Sequence, residues 1–341
     1  METIRVIVDK NVENGKNYEQ AVDLLKSEEV VAFPTETVYG LGGIATSDLA
    51  VSKIYEAKGR PSDNPLIVHI GTTEEIDRYV VDLSDKAKAC MKEFWPGPLT
   101  IICKVKPNVI STKVTAGLDT VGLRMPDHPV ALQLLRQLGE PVAAPSANQS
   151  GKPSPTEGIH VEEDLRGRIP MILDGGTTGI GVESTVIDLT LDTPTILRPG
   201  GITKEMLEAV IGEVEEPTHI EQKAGAPKAP GMKYIHYAPN APVYLIEKDE
   251  SIINEAIQSI QAKGQKVALL APDQFATTAA DHFFSFGDDT QQEMALHLYN
   301  ALRACDRTDA DIVLATVTST DGVGSAIMNR LEKSAGGHWY K

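Results

Sequence analysis

Short runs rich in valine and isoleucine alternate along this chain with longer stretches of helical period, and few folds accept that order. VVAF (30–33), LIVHI (66–70), LTIIC (99–103), VAAP (142–145), MILD (171–174), TVIDL (185–189) and TILR (195–198) are too short for helices and too apolar for loops, so they predict buried strands. Between them, SDLAVSKIYEAK (47–58) predicts a helix capped by Ser47. Residues 84–94 predict a second, and VALQLLRQLG (130–139) a third that stops at glycine. Strands and helices in alternation make an α/β domain. The pattern breaks at 213–233, where proline, glycine and charge replace any apolar period, which reads as a linker. VYLI, a helix at 251–263, KVALL, FFSF, a helix at 289–305 and IVLATV then resume it. The expected layout is a first domain over 1–212, a linker over 213–240 and a smaller α/β domain over 241–341. A chain of 341 residues is longer than one core usually organises, which agrees with two domains.

Charge and motif content exclude several classes. The net charge is −16, with acid exceeding base in both halves. Tight direct nucleic-acid binding, which draws on Lys and Arg contacts to phosphate, is disfavoured. No apolar run approaches the roughly 20 residues of a membrane helix. The N-terminus lacks a basic stretch followed by an apolar one, so a cytoplasmic location is expected. Cys90, Cys103 and Cys305 show no metal-ligand spacing and read as reduced, buried thiols. Phosphate-loop, nucleophile-elbow, zinc-protease and kinase metal motifs are all missing.

Four loops break the local rules and are candidates for chemistry. PTETVYGLGG (34–43) combines hydroxyls at Thr35 and Thr37 with three glycines; it is either a ligand loop or a plain strand-to-helix turn. KGRPSDNPL (58–66) sets Lys58 and Arg60 two apart, reading either as two cations on a rigid loop for a polyphosphate or as helix-end charges matching the dipole. APSANQSGKPSPT (144–156) offers small hydroxyl donors, suited to an anion pocket or to solvent. DGGTTGIGVESTV (174–186) and LRPGGIT (197–203) bring clustered glycines and Arg198. Four such loops at strand ends are what an open α/β sheet needs for a ligand crevice. His69, inside an apolar strand, also reads as a core histidine.

Taken in order, PTETVYGLG, the K-x-R of KGRPSDNPL, PLIVHI, FWPGPLT, TVGLRMPDHP, APSANQSGKPSPT, STVIDL and LRPGG resemble the threonylcarbamoyl-adenylate synthase, or YrdC-like, family over about residues 15–210. YIHYAP (234–239) and the C-terminal region resemble its longer two-domain members. The resemblance implies a YrdC-like twisted mixed sheet with flanking helices and a smaller Rossmann-like α/β C-terminal domain. It implies an enzyme that joins L-threonine, bicarbonate or CO2, and ATP with Mg²⁺, the metal's ligands being unassigned. The product would pass to the machinery that threonylcarbamoylates tRNA. Lys58 and Arg60 would be catalytic, facing the phosphates. Thr35, His69, Arg124, Ala144 and Ser184 would hold threonine. Ser62, Thr120, Ser146, Asn148, Ser154 and Arg198 would line the ATP side with Lys58, and Tyr234 or His236 of the linker would serve as a lid. Rivals are a carbamoyl-adenylate-forming enzyme of the same fold, whose zinc-finger segments three cysteines cannot supply, and a non-catalytic nucleotide- or RNA-binding protein.

Overall fold

A computed structural model describes residues 1–9, 15–216 and 237–341. The described residues divide into two compact units, the first comprising 1–9, 15–150, 155–179 and 183–216, the second 151–154, 180–182 and 237–341.

The first unit runs β1 (Ile4–Ile7), α1 (Gly15–Lys26), β2 (Val31–Pro34), β3 (Tyr39–Ile44), α2 (Asp48–Lys58), β4 (Ile67–His69), α3 (Asp85–Phe94), β5 (Leu99–Lys104), α4 (Thr112–Thr115), β6 (Thr120–Arg124), α5 (Pro129–Leu138), β7 (Val142–Ala143), α6 (Gly158–Leu165), β8 (Met171–Asp174), β9 (Thr185–Asp188), β10 (Thr195–Arg198) and α7 (Lys204–Ile211). Its ten strands form one mixed sheet in the order β1-β8-β2-β3-β7-β4-β6-β5-β9-β10. Both faces are covered, so successive residues of one strand enter different cores. Val31 and Phe33 pack with Met171 and Leu173 under α1 and α5, while Ala32, Val68, Ala143 and Ile172 pack toward α2, α3 and α6. Two-sided burial is why these strands read as continuous apolar runs. The expected caps are present: Ser47 accepts from the Ala50 N–H, and Gly139 ends α5 in the left-handed conformation that glycine adopts without a Cβ clash.

The second unit contains β11 (Val243–Ile246), α8 (Glu250–Gln261), β12 (Val267–Ala271), β13 (His282–Ser285), α9 (Gln291–Cys305), β14 (Ile312–Thr316) and α10 (Gly324–Ser334). Its four strands are all parallel, ordered β11-β14-β12-β13, a Rossmann-like arrangement. Ile253, Ile257 and Ile260 of α8 recur at helical spacing and pack on Leu269 and Leu314.

Two readings need correction. Residues 39–44 are not a turn into a helix; they form β3, antiparallel to β2, because glycines let this strand lie close to its neighbours. A Cβ on Gly42 would sit 2.6 Å from the Phe33 ring and 2.7 Å from Val142. For Lys58 the loop alternative gives way to the helix-end one: it is the last residue of α2, where the expected helix over 47–58 ended, it is 1% exposed, and Gly59 forms the cap. Among the described residues no helix is long and apolar enough to cross a membrane. Tyr234 and His236 lie outside the described residues, as does most of the expected linker.

Candidate active site

The turn between β2 and β3 is built by its own hydroxyls. Thr35 Oγ1 donates to the Val38 carbonyl at 2.7 Å, lies 2.8 Å from Thr37 Oγ1, and accepts from the Thr37 and Val38 N–H groups. Such a side-chain-closed turn fixes the loop without a helix. The structure sets Gly40 in a bridge with Ser146 and sets Leu41 N–H on the Pro145 carbonyl, so the first and third candidate loops lie side by side.

Lys58 joins that pair from below. Its ammonium donates to the carbonyls of Ser146 at 2.5 Å and Asn148 at 2.6 Å, with Asn148 Oδ1 at 3.4 Å, and its own carbonyl accepts from Ser150 N–H. Ser146 Oγ donates to Asn148 Oδ1 at 2.5 Å. A buried cation among carbonyls and an amide oxygen orders the loop as a charge-assisted centre. Arg60 is half-buried, with the Pro65 carbonyl 3.4 Å from Nη2, and Ser62 is exposed.

Register brings the next residues together. β4 runs parallel to β6 with His69 opposite Arg124, and Ala144 N–H donates to the Ile67 carbonyl. His69 is 3% exposed and packs edge-on against Phe33 at 6.4 Å. Burial, and then the Arg124 guanidinium, push its imidazole down to about 3, against the pull of the Ile67 and Val142 carbonyls. It is a neutral imidazole, not a cation, and its Nδ1 has no aligned partner. Arg124 Nε donates to the Gly97 carbonyl at 3.2 Å, and Nη2 lies 2.6 Å from a Glu36 carboxylate oxygen.

Gly97 lies in the turn before β5, and its N–H donates to the Met125 carbonyl. The next carbonyl, of Pro98, accepts from Thr185 N–H, so this turn ties Arg124 to β9. Ser184, just before β9, is fully buried; its Oγ lies 2.8 Å from Thr100 Oγ1. Arg198 Nε and Nη2 donate to the Ser184 carbonyl at 3.1 and 2.8 Å, and Nη2 to its Oγ at 3.1 Å. Gly200 permits this approach: a Cβ there would sit 2.2 Å from the Thr185 nitrogen.

The structure therefore forms two groups, one of Thr35, Lys58, Ser146 and Asn148 on the adjoining first and third loops, the other of His69, Arg124, Ser184 and Arg198, linked where Glu36 meets Arg124 and Phe33 packs on His69. Thr120 begins β6 at the end opposite Arg124, about 13 Å along a four-residue rise. Ser154 is fully buried and falls within the second compact unit. Sequence reasoning missed Glu36, Gly97 and Thr100. Glu36 had a signal, being the one carboxylate in a motif otherwise built of hydroxyls, glycines and apolar side chains. Gly97 and Thr100 act through a backbone carbonyl and through pairing across strands, which no spacing announces. Among the described residues no group of three or more His, Cys, Asp or Glu is placed to hold a metal ion.

Two family models match the chain. The Sua5/YciO/YrdC family model, described as telomere recombination, matches residues 23–200, and the model described as the C-terminal domain of threonylcarbamoyl-AMP synthase matches residues 202–336. Threonylcarbamoyl-AMP synthase of Bacillus subtilis (strain 168) is 52% identical over 342 residues, spanning 99% of each chain. The same-named protein of Pyrococcus abyssi (strain GE5 / Orsay) is 46% identical over 339 residues, spanning 98% of each. The solved structure of P. abyssi Sua5 complexed with L-threonine matches with a TM-score of 0.91 and 44% identity, covering 100% of this chain and 98% of that one.

Proposed function

The chain belongs to the Sua5/YciO/YrdC family in its two-domain, threonylcarbamoyl-AMP synthase form, and from that premise we propose that it joins L-threonine, carbon dioxide from bicarbonate, and ATP into threonylcarbamoyl-AMP, releasing pyrophosphate as a nucleotidyltransferase. The observation that carries this reading is the buried guanidinium of Arg124, held at Nε by the Gly97 carbonyl and facing Glu36 through Nη2, beside the neutral imidazole of His69, whose Nδ1 has no aligned partner. A fixed bidentate donor suits a carboxylate, and a neutral imidazole can both donate to and accept from a hydroxyl. Threonine carries both groups.

Both nucleophiles belong to the substrates. The threonine amine attacks carbon dioxide to give a carbamate, and a carbamate oxygen then attacks the α-phosphorus of ATP. The protein's task is position and charge. Arg124, His69, Thr35, Ala144 and Ser184 hold the amino acid in this proposal. Lys58 and the Ser146–Asn148 loop it organises, with Arg60, Ser62 and Thr120, form the nucleotide side, and Arg198 joins the two by fixing Ser184. With no protein-built metal cage among the described residues, Mg²⁺ would enter with ATP on phosphate oxygens and water. The product would go to the tRNA-modifying machinery as a small molecule, in keeping with a net charge of −16 that gives the chain no broad footprint for nucleic acid.

The test is pyrophosphate release from ATP by the purified chain. Release that depends on both threonine and bicarbonate supports the proposal. Release without threonine points to a carbamoyl-adenylate-forming enzyme, and no release under either condition overturns it.

A further inference from the structure

The Arg124–Glu36 contact reads as half of a binding site. Both ends are withdrawn from water, the side chains being 5% and 11% exposed with Nη2 and Oε1 2.6 Å apart. A buried ion pair that serves only the fold has its remaining donors and acceptors satisfied, because each unsatisfied group adds a desolvation cost. This pair does not. The Nη2–Oε1 contact is not aligned as a hydrogen bond, the other carboxylate oxygen of Glu36 has no partner among the described residues, and neither has Nδ1 of His69, opposite Arg124 in the register. The Glu36 backbone is fixed, its carbonyl accepting from Gly179 N–H, so the carboxylate is aimed by its loop and not left to wander.

The open acceptor shows what the pair can still take. The Arg124 guanidinium meets Glu36 through Nη2 alone, and exposed Asp127 lies close enough to Glu36 for that charge, after desolvation, to raise its carboxyl. The imidazole beside them is neutral. The second carboxylate oxygen of Glu36 is left as a buried, open acceptor, which suits a positive group with several N–H donors, and an α-ammonium has three. An amino acid zwitterion supplies this group together with a carboxylate for Arg124. The order would then be guanidinium, substrate carboxylate, substrate ammonium, Glu36, with opposite charges adjacent throughout.

We propose that Glu36 recognises the α-ammonium group of the substrate and, in the empty pocket, holds the charge of Arg124 until the amino acid carboxylate replaces it. This rests on the threonine reading above and deepens it: Glu36 determines that the pocket takes an α-amino acid and not the corresponding hydroxy acid.

The test is calorimetric binding to the full chain of L-threonine and of 2,3-dihydroxybutyrate of matching stereochemistry, in which a hydroxyl replaces the amine. The wild-type chain should bind threonine at least about 10-fold more tightly, the scale of a hydrogen bond to a charged group. Glu36→Gln should weaken threonine by about 10- to 100-fold while leaving the hydroxy acid unchanged or tighter, since that ligand no longer has to displace a carboxylate from Arg124. Glu36→Asp, which keeps the charge, should keep the preference. A Glu36→Gln chain that loses both ligands equally would make Glu36 a structural counter-ion and overturn the proposal. Equal wild-type affinity for the two ligands would overturn it without any variant. A wild-type chain that binds neither ligand would instead overturn the threonine reading, and this proposal with it.

Discussion

Replacing Lys58 by methionine tests whether the site is organised by its buried ammonium. Methionine keeps most of the apolar stem and removes the donors to the Ser146 and Asn148 carbonyls. A buried acceptor left without its partner costs about 1–3 kcal/mol, so two give about 2–6 kcal/mol. Removing an ammonium that was costly to bury returns part of this. The Ser150 N–H bond to the Lys58 carbonyl survives, because it is backbone. A net loss of about 2–4 kcal/mol remains. For a unit of this size that lowers Tm by roughly 4–16 °C, at about 2–4 °C per kcal/mol. Turnover should fall by at least about 100-fold, the scale seen when one preorganised charge is removed. Thermal melting with pyrophosphate release on one preparation separates the effects. Unchanged melting would refute the claim that the ammonium orders the Ser146–Asn148 loop. Melting that drops while turnover persists would leave Lys58 an anchor and remove it from the chemistry.

Gly200→Ala should cost about 1–3 kcal/mol or more, because its Cβ would sit 2.2 Å from the Thr185 nitrogen and 2.5 Å from the Glu183 carbonyl oxygen; chemical denaturation measures this, and wild-type stability would contradict the close approach that seats Arg198 on Ser184. His69 stays neutral in the fold to about pH 3 but titrates near 6.5 when unfolded, so the unfolded chain binds more protons between those values. Its contribution is complete above pH 6.5 and lost as pH falls toward 3; His69→Gln should flatten this acid limb in urea melts at pH 4.5 and 7.5, and equal limbs would refute a buried neutral imidazole. In pyrophosphate assays, serine should be used roughly 10- to 200-fold less well than threonine, for want of one methyl. Valine should be rejected more strongly if buried polar groups bond the hydroxyl, and equal rates with valine would contradict that pocket.

The sequence by itself determined the α/β alternation, because strands buried on both faces must be largely apolar, and VVAF, LTIIC, MILD and VALL are, with Thr100 and Asp174 the polar exceptions. It also fixed the helix ends at Ser47 and Gly139, where a cap depends on a single local residue. The motif loops were legible for the same reason, since glycine, proline and small hydroxyls break local rules wherever they stand. Other elements were not. β3 carries three glycines and reads as a turn until Phe33 and Val142 are seen to need its lack of side chains. β6 is interrupted by Gly122, and β1 is a short edge strand whose IRVI is largely exposed. The tertiary structure alone decided that Lys58 faces carbonyls 88 and 90 residues away in sequence, that Arg198 seats on Ser184, and that Glu36 meets Arg124. Each of these depends on which strands lie next to each other in the sheet and in what register. That choice is made by packing over the whole core, and no local pattern records it.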